Sequence, residues 1–299
     1  MAVASSEGHF LMIDNSELQS LAGDLGVDVV GPLAGGEFGA MLSIDRAGRE
    51  LVLKTMSPPA VLTSRSLASI FERGVRLAGR LRAIGYPAPE YVGTGGTPNV
   101  AWSLQERLPG DVPDSMTARH AQRRIELAKM HKDAAGESND WRSFAFARMR
   151  EHMETVVQDE RAAPLARELA SVVEHGERVQ LRQNDVVHAD FHHRNYLAIG
   201  DEITGVFDWE FALSGDWRVD LVTLAFWCAI DHRVPPDAAR IVVECAREDV
   251  SAGCAGVPRG VPVVTATRLR RARAPGARRG HRAGDRDVHR AVVARPVVI

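Results

Sequence analysis

The side chains best suited to chemistry in this chain lie between His188 and Asp208. Asp190 and Asn195 are five residues apart in the segment H-A-D-F-H-H-R-N, and Asp208 follows a short apolar run. One carboxylate can accept a proton from a hydroxyl group, and an amide oxygen with a second carboxylate suits Mg²⁺. Phosphoryl transfer from a magnesium nucleotide requires this set. The segment therefore predicts Asp190 as the catalytic base and Asn195 and Asp208 as metal ligands.

The sequence between Asn195 and Asp208 predicts how they meet. Residues 196–199 and 203–207 are apolar runs separated by Gly-Asp-Glu, a pattern typical of a β-hairpin. If residues 201–202 form the loop, Asn195 lies directly opposite Asp208, and a slip of one or two residues keeps them neighbours. Opposed residues have Cβ atoms roughly 4.5–5.5 Å apart. Both oxygens could then share one metal ion.

Two other interpretations of the segment are open. A zinc site could be formed by His188, Asp190, His192 and His193. The three cysteines, at positions 228, 245 and 254, form no C-x-x-C pair that would add ligands at tight spacing. A plain polar turn would explain each residue singly, but it would not explain their joint spacing.

The ordered motifs resemble those of the aminoglycoside phosphotransferase family of small-molecule kinases, which shares the protein-kinase fold. That family commonly carries H-G-D-x-x-x-x-N, I-D-W, G-D and D-L. The corresponding segments here are H-A-D-F-H-H-R-N at 188–195, V-F-D-W at 206–209, G-D at 215–216 and D-L at 220–221. Ala189 replaces the usual glycine. The resemblance implies that His188 and Asp220 brace the catalytic loop.

Residues before 56 carry features suited to binding phosphate. Strands are predicted at 27–30, 41–44 and 50–55, with a glycine-rich turn before the second. Gly36 and Gly39 in that turn would let backbone N–H groups approach phosphate, although an ordinary glycine turn is an alternative. Lys54 is the only lysine before residue 129. We expect its compact ammonium to hold the α- and β-phosphates.

A helix and a further strand complete the predicted nucleotide site. Apolar residues from Leu67 to Ile84 recur at helical spacing, so residues 65–84 predict an amphipathic helix. Glu72 flanks its apolar stripe, and by analogy with kinases we expect it to pair with Lys54. Residues 100–106 predict a strand. The resemblance makes its exit the hinge that hydrogen-bonds the nucleotide base, at Gln105, Glu106, Arg107 and Leu108.

The predicted architecture is an α+β, bilobal, protein-kinase-like fold. We expect a β-rich N-lobe at 1–105, a hinge at 106–110 and a catalytic, helical C-lobe at 111–250. Helices are predicted at 119–135, where His131 is expected to be structural, and within 144–175. The segment 251–299 holds eleven Arg, two Asp and four Pro without periodicity. It is predicted to be disordered, a product of a shifted reading frame, or an arginine-rich arm for RNA.

Composition narrows the class of protein. The chain is 45% hydrophobic and 25% charged, which is ordinary for a soluble globule. Its longest apolar run, 222–230, is shorter than the roughly 18–20 residues of a membrane span. No secretory signal is evident, and three scattered cysteines indicate no disulfide framework. We therefore expect a cytoplasmic protein with no membrane partner.

The predicted function is transfer of phosphate from ATP or GTP, with Mg²⁺, to a hydroxyl of a small molecule. Residues 1–250 carry a net charge of −11, which would attract cationic acceptors. We expect a cationic antibiotic, either an aminoglycoside or a peptide of the viomycin–capreomycin type, and a role in resistance. A kinase for a sugar, choline or homoserine shares these motifs. A non-catalytic kinase-like binding module is a further alternative, and a nucleic-acid partner rests on the tail alone. The acceptor-binding residues are not indicated.

Overall fold

A computed structural model describes residues 13–33, 39–58, 63–137 and 180–253. Gly36, the helices predicted within 144–175 and the chain beyond residue 253 lie outside the described residues. The helix that ends at Gly253 extends into the predicted tail by three residues.

The N-terminal part is built on one antiparallel sheet with strand order β1-β2-β3-β5-β4. Alternating apolar residues of its central strands bury Leu51, Leu53 and Leu104 on one face. In the register, Lys54 of β3 lies between Ala40 of β2 and Ser103 of β5. The strands are β1 Val27–Pro32, β2 Gly39–Asp45, β3 Glu50–Met56, β4 Tyr91–Gly96 and β5 Ala101–Glu106.

Two helices accompany this sheet: α1 Asn15–Leu25 and α2 Ser64–Ala83. The Thr63 hydroxyl caps α2 by accepting from the backbone N–H of Ser66. The apolar stripe of α2 is buried. Phe71 belongs to a cluster with Met56 of β3 and Ala101 of β5, and Leu77 belongs to the larger core that includes Trp209. This confirms the helix predicted from periodicity. Gly74 lets α2 approach the catalytic part closely, since a Cβ there would come within 2.8 Å of the Glu210 carbonyl oxygen.

Within residues 111–137 and 180–253, the C-terminal part contains three helices and two small two-stranded sheets, β6 with β9 and β7 with β8. Its core is the largest in the described residues and includes Trp209, Leu221 and Leu224, all fully buried. The elements are α3 Ala118–Lys129, β6 Asp185–Val187, β7 Tyr196–Ile199, β8 Glu202–Val206, β9 Leu213–Gly215, α4 Arg218–Ile230 and α5 Pro236–Gly253. A β-rich part followed by a helical part carrying a hairpin is the predicted α+β arrangement.

The predicted hairpin is confirmed, but its register differs from the expected one. The loop is Gly200-Asp201, one residue earlier than predicted, because Gly200 adopts φ +61°. A bulge at Thr204 then shifts the pairing, so that Tyr196 faces Val206. Asn195 consequently lies opposite Phe207, whose N–H points at the Asn195 carbonyl oxygen at 3.4 Å. Asp208 is the next residue along.

The chain between the two parts packs directly on this hairpin. Asp111 and Ala198 exchange two backbone hydrogen bonds of 3.3 and 2.9 Å. Gly110 has φ +95°, and a Cβ there would lie 2.7 Å from the Ala198 carbonyl oxygen. The Thr204 hydroxyl also donates to the Pro109 carbonyl. The segment that leaves the sheet is therefore fixed to the hairpin that joins the candidate residues Asn195 and Asp208.

Candidate active site

The loop of residues 188–195, the candidate catalytic loop, brings Asp190 and Asn195 together. The Asn195 side-chain Nδ2 donates to the main-chain oxygen of Asp190 at 2.9 Å and to its carboxylate Oδ2 at 3.1 Å. The amide is 5% exposed, whereas 34% of the Asp190 side chain is exposed. Because Nδ2 is engaged, Oδ1 is the atom of Asn195 suited to a metal ion. The base candidate faces solvent while its supporting amide is buried.

Asp220 holds the backbone of the catalytic loop. Its carboxylate accepts the N–H of His188 at 2.8 Å and the N–H of Ala189 at 3.2 Å. It also contacts Nδ1 of the buried His131 at 3.0 Å. These contacts draw Ala189 into the left-handed region at φ +68°, a conformation that favours glycine. The replacement of the usual glycine by Ala189 therefore stores strain beside Asp190.

His188 is neutral and fully buried, and its ring supports the loop through two hydrogen bonds. Its Nε2 faces the carbonyl oxygen of Phe207 at 2.8 Å, and its Nδ1 accepts the N–H of Asp190 at 3.3 Å. A carbonyl only accepts, so Nε2 carries the proton. Burial lowers the pKa of His188 to about 4. His188 thereby links the catalytic loop to the residue that precedes Asp208.

A second support lies beneath the loop. The Arg124 guanidinium of α3 is fully buried and stacks on the Phe191 ring, 3.5 Å from its centroid. Its Nη2 donates to the His192 carbonyl at 3.1 Å. Burial lowers the pKa of Arg124 from its usual value. Nothing in the sequence pattern singled out Arg124, since an arginine in a helix is usually solvated.

Lys54 spans the two parts of the molecule. Its Nζ lies 2.6 Å from Asp208 Oδ1 and 3.0 Å from Glu210 Oε2. Glu210 is 4% exposed, and its other oxygen accepts from the Ser103 hydroxyl at 2.7 Å. Glu210 and Ser103 were not predicted. The available signal was the acidic residue two positions after Asp208, in D-W-E.

The charges of this cluster stabilise one another. Burial alone would lower the pKa of Lys54, but the carboxylates of Asp208 and Glu210 outweigh it, and the Lys54 pKa is raised. Burial likewise opposes ionisation of Asp208, but the adjacent Lys54 ammonium holds the Asp208 pKa below its usual value. Lys54 is therefore an ammonium and Asp208 a carboxylate at neutral pH. The pair lines a narrow cleft with Phe71 and Phe211.

The expected pair of Lys54 with Glu72 does not form. Phe71 and Gly74 occupy the buried face of α2, and Glu72 is rotated onto the exposed face. The ammonium of Lys54 is bound by Glu210 in its place. Flanking the apolar stripe in sequence was therefore not sufficient to put Glu72 inside the site.

The hinge candidates lie at the end of β5, with part of their hydrogen-bonding capacity already used. Gln105 is 4% exposed within the sheet. The N–H of Glu106 donates to the Glu90 carbonyl at 2.8 Å, and the N–H of Arg107 to the Glu50 carbonyl at 3.3 Å. Among the described residues no backbone acceptor takes the N–H of Leu108. Gly39, at the opposite edge of the site, begins β2 across from Thr55.

The zinc interpretation gains no support from the geometry. Both ring nitrogens of His188 are already engaged, and His193 Nε2 lies 2.9 Å from Asp231. His192 uses Nδ1 to accept the Arg194 N–H, and burial lowers its pKa to about 3. Within the described residues, no cluster of three or more His, Cys, Asp or Glu side chains is arranged to hold a metal.

Comparison with known sequences identifies one family. Residues 31–244 match the model of the phosphotransferase enzyme family, abbreviated APH. No curated protein matches the chain in sequence. None of the helices in the described ranges combines the length and apolar character that a bilayer crossing needs.

Three solved structures illustrate the similarity in fold, each at low sequence identity. A thermostable mutant of aminoglycoside phosphotransferase APH(4)-Ia, in ternary complex with AMP-PNP and hygromycin B, is 21% identical, with a TM-score of 0.60 over 82% of this chain and 86% of that one. An aminoglycoside-3'-phosphotransferase of type VIII is 20% identical, with a TM-score of 0.56 over 83% and 94%. The amicoumacin kinase hAmiN, in complex with AMP-PNP, Ca²⁺ and Ami, is 15% identical, with a TM-score of 0.53 over 79% and 78%. These likenesses confirm the kinase-like fold.

Proposed function

Since this chain belongs to the phosphotransferase enzyme family, we propose that it transfers the γ-phosphoryl group of ATP or GTP to a hydroxyl of a small-molecule antibiotic. The observation that carries the proposal is the convergence of Asp190, Asn195, Lys54 and Asp208 through direct contacts and one hairpin. A non-catalytic binding module would have no need for this complete set.

Asp190 is the proposed base. Its partly exposed carboxylate can orient the acceptor hydroxyl and take its proton, while Asn195 fixes its direction. Asp220 and His188 hold the backbone from behind, so the carboxylate is positioned before the acceptor arrives. Positioning of this kind supplies much of the catalysis in phosphoryl transfer.

The residues present fit Mg²⁺. Magnesium is usually bound by one or two protein ligands together with nucleotide phosphates and water, so a protein-only cluster is not required. Asp208 is held ionised, and Asn195 presents Oδ1 because Nδ2 is occupied. Asn195 and Asp208 would hold the metal, which would supply positive charge to stabilise the phosphoryl group during transfer.

The nucleotide is proposed to lie between β3 and the hinge. Lys54 is a buried ammonium, beside Asp208, that is suited to hold the α- and β-phosphates. Gly39, with Gly36 outside the described residues, would cover the phosphates. At the hinge, the N–H of Leu108 is proposed to bind the base, since the Glu106 and Arg107 N–H groups are engaged. These groups do not distinguish ATP from GTP.

A cationic antibiotic is the proposed acceptor class, with resistance as the outcome. Two observations support it: the net charge of −11 on residues 1–250, and solved structures of the same fold that include a complex with hygromycin B and an amicoumacin kinase. A metabolite kinase of the sugar, choline or homoserine type would share every catalytic residue. The need for ATP or GTP and the two described cysteines, both free thiols, favour the cytoplasm. No nucleic-acid partner is proposed.

The acceptor class can be tested by nucleotide consumption with Mg²⁺ and a panel of purified acceptors. The panel should contain aminoglycosides, tuberactinomycin peptides, macrolides, choline, homoserine and neutral sugars. We expect turnover with a polycationic antibiotic and none with the neutral sugars. A preferred uncharged acceptor would contradict the antibiotic assignment but leave the phosphotransferase assignment intact.

A further inference from the structure

Lys54 has a second anionic partner, Glu210, which is not a proposed metal ligand. Asp208, by contrast, is a proposed metal ligand, so its carboxylate would serve both Lys54 and the metal. Glu210 has no such competing task. Its Oε2 stays within 3.0 Å of Nζ, in a setting where only 10% of the Lys54 side chain and 5% of the Glu210 side chain are exposed.

The carboxylate of Glu210 is itself fixed. The Ser103 hydroxyl donates to Oε1 at 2.7 Å, and Ser103 is completely buried directly opposite Lys54 in the β3–β5 pairing. Gly74 allows the backbone of Glu210 to pack against α2. Each carboxylate oxygen thus has a different partner, both supplied by adjacent strands of the N-terminal sheet.

The helix glutamate cannot take this place without a rearrangement of α2. Glu72 lies on the exposed face of the helix, and the buried face at this level carries Phe71 and Gly74. A rotation that brought Glu72 inward would expose Phe71, which is 1% accessible and packs edge-on against Phe211 at 5.9 Å between ring centroids. Exposing this apolar ring to water would be unfavourable.

We propose that Glu210, and not a glutamate of α2, is the positioning residue that holds Lys54 for the nucleotide phosphates. The inference rests on the proposed function, since it concerns the same nucleotide site. Its consequence is that the ammonium is aligned by the segment that carries the metal ligand Asp208. Alignment then depends on the β3–β5 strand pair, on this segment and on its packing against α2 at Gly74, and it requires no carboxylate from α2.

The test is calorimetric titration of Mg-ATP into the whole chain and its variants, which needs no acceptor. Glu210→Gln keeps the shape of the side chain and removes its charge, so we expect affinity to fall by about tenfold or more. Ser103→Ala should weaken binding in the same direction by less, because it frees the carboxylate without neutralising it. Glu72→Gln is the matched control and should bind like the unaltered chain.

A double-mutant cycle separates positioning from a general structural effect. Lys54→Met alone should weaken binding, and adding Glu210→Gln should cause no further loss if Glu210 acts only through Lys54. Independent, additive losses, or a Glu72→Gln variant that is as weak as Glu210→Gln, would overturn the inference. So would normal affinity of Glu210→Gln. Unaltered protein that binds no Mg-ATP would instead overturn the proposed function, and the inference with it.

Discussion

The amide of Asn195 donates to both the main-chain oxygen and the carboxylate of Asp190, at 2.9 and 3.1 Å. One side chain therefore orients the proposed base through its nitrogen and leaves its oxygen for the proposed metal. The five-residue spacing is what allows the loop to fold back on itself in this way. His188 also links this loop to Phe207, the residue before Asp208. The proposed base Asp190 and Asp208 are therefore fixed relative to each other.

Replacing Asp208 should abolish the part of ATP binding that depends on Mg²⁺. We expect Asp208→Ala to lose the gain in ATP affinity that Mg²⁺ confers, because the second proposed ligand, Asn195, cannot hold the ion alone. Calorimetry with ATP in the presence and absence of Mg²⁺ measures this gain. Asp201→Ala, in the exposed turn of the same hairpin, should leave it unchanged. An Asp208→Ala variant with the full Mg²⁺ effect would disprove the metal-ligand role.

Ala189 should be replaceable by glycine with a gain in stability. Its φ of +68° costs an L-residue roughly 1–2 kcal/mol, and glycine avoids most of this at a smaller entropic cost in the unfolded chain. We therefore expect Ala189→Gly to raise the free energy of unfolding by up to about 1 kcal/mol. Ala189→Val should lower it, because β-branching adds to the strain. Denaturant titration checks both signs, and the same sign for both variants would contradict the assignment of strain.

Stability should fall in acid partly through His188. Its folded-state pKa of about 4 lies below the usual 6.5, so the unfolded chain binds more protons between these values. Its contribution is thus complete above pH 6.5 and is lost as pH falls towards 4, at about 1.4 kcal/mol per pH unit. We expect His188→Asn to flatten the stability profile in this window. His232→Asn, at an exposed position, should not, and an equally steep profile in His188→Asn would refute the prediction.

Added salt should slow the reaction with a cationic acceptor. The Debye length falls from about 10 Å at 0.1 M to about 3 Å at 1 M, so the attraction of a cationic acceptor by the net negative charge of residues 1–250 is screened. We expect kcat/KM for a polycationic acceptor to fall steeply over this range, while that for a neutral acceptor changes little. Initial rates at fixed Mg-ATP measure it. A salt-independent kcat/KM for the polycation would remove the electrostatic argument for this acceptor class.

The sequence predicted those features that depend on local pattern. The strands, the helix α2 and the hairpin β7–β8 follow from periodicity and turn residues, and residue type and spacing led to the proposed roles of Asp190, Asn195 and Lys54. The exact register was not predictable, because the earlier turn at Gly200 moves each pairing partner by two residues and the bulge at Thr204 moves it back by one. The strand β4, with three glycines in six residues, has too weak a strand pattern to be recognised.

The pairing of Lys54 could not be derived from sequence, because it depends on the rotation of a helix. A shift of one residue on α2 turns a side chain by about 100°, which decides whether Glu72 faces the site or solvent. Glu210 and Arg124 were missed for a related reason. Their burial depends on contacts with Ser103 and with Phe191 and Tyr196, which lie far away in sequence.

Transfer of labelled γ-phosphate to an acceptor, by the unaltered chain and by Asp190→Asn, tests the central claim most directly. With Mg²⁺ and the acceptor found in the panel, we expect labelled product from the unaltered chain. We expect a fall in kcat of about 10²–10⁴ in Asp190→Asn, because general-base catalysis contributes roughly that factor. Calorimetry should show that the variant still binds Mg-ATP, since Asp190 is not a proposed metal ligand. A variant that retains more than about a tenth of kcat, or an unaltered chain that binds Mg-ATP but labels no acceptor, would contradict the account.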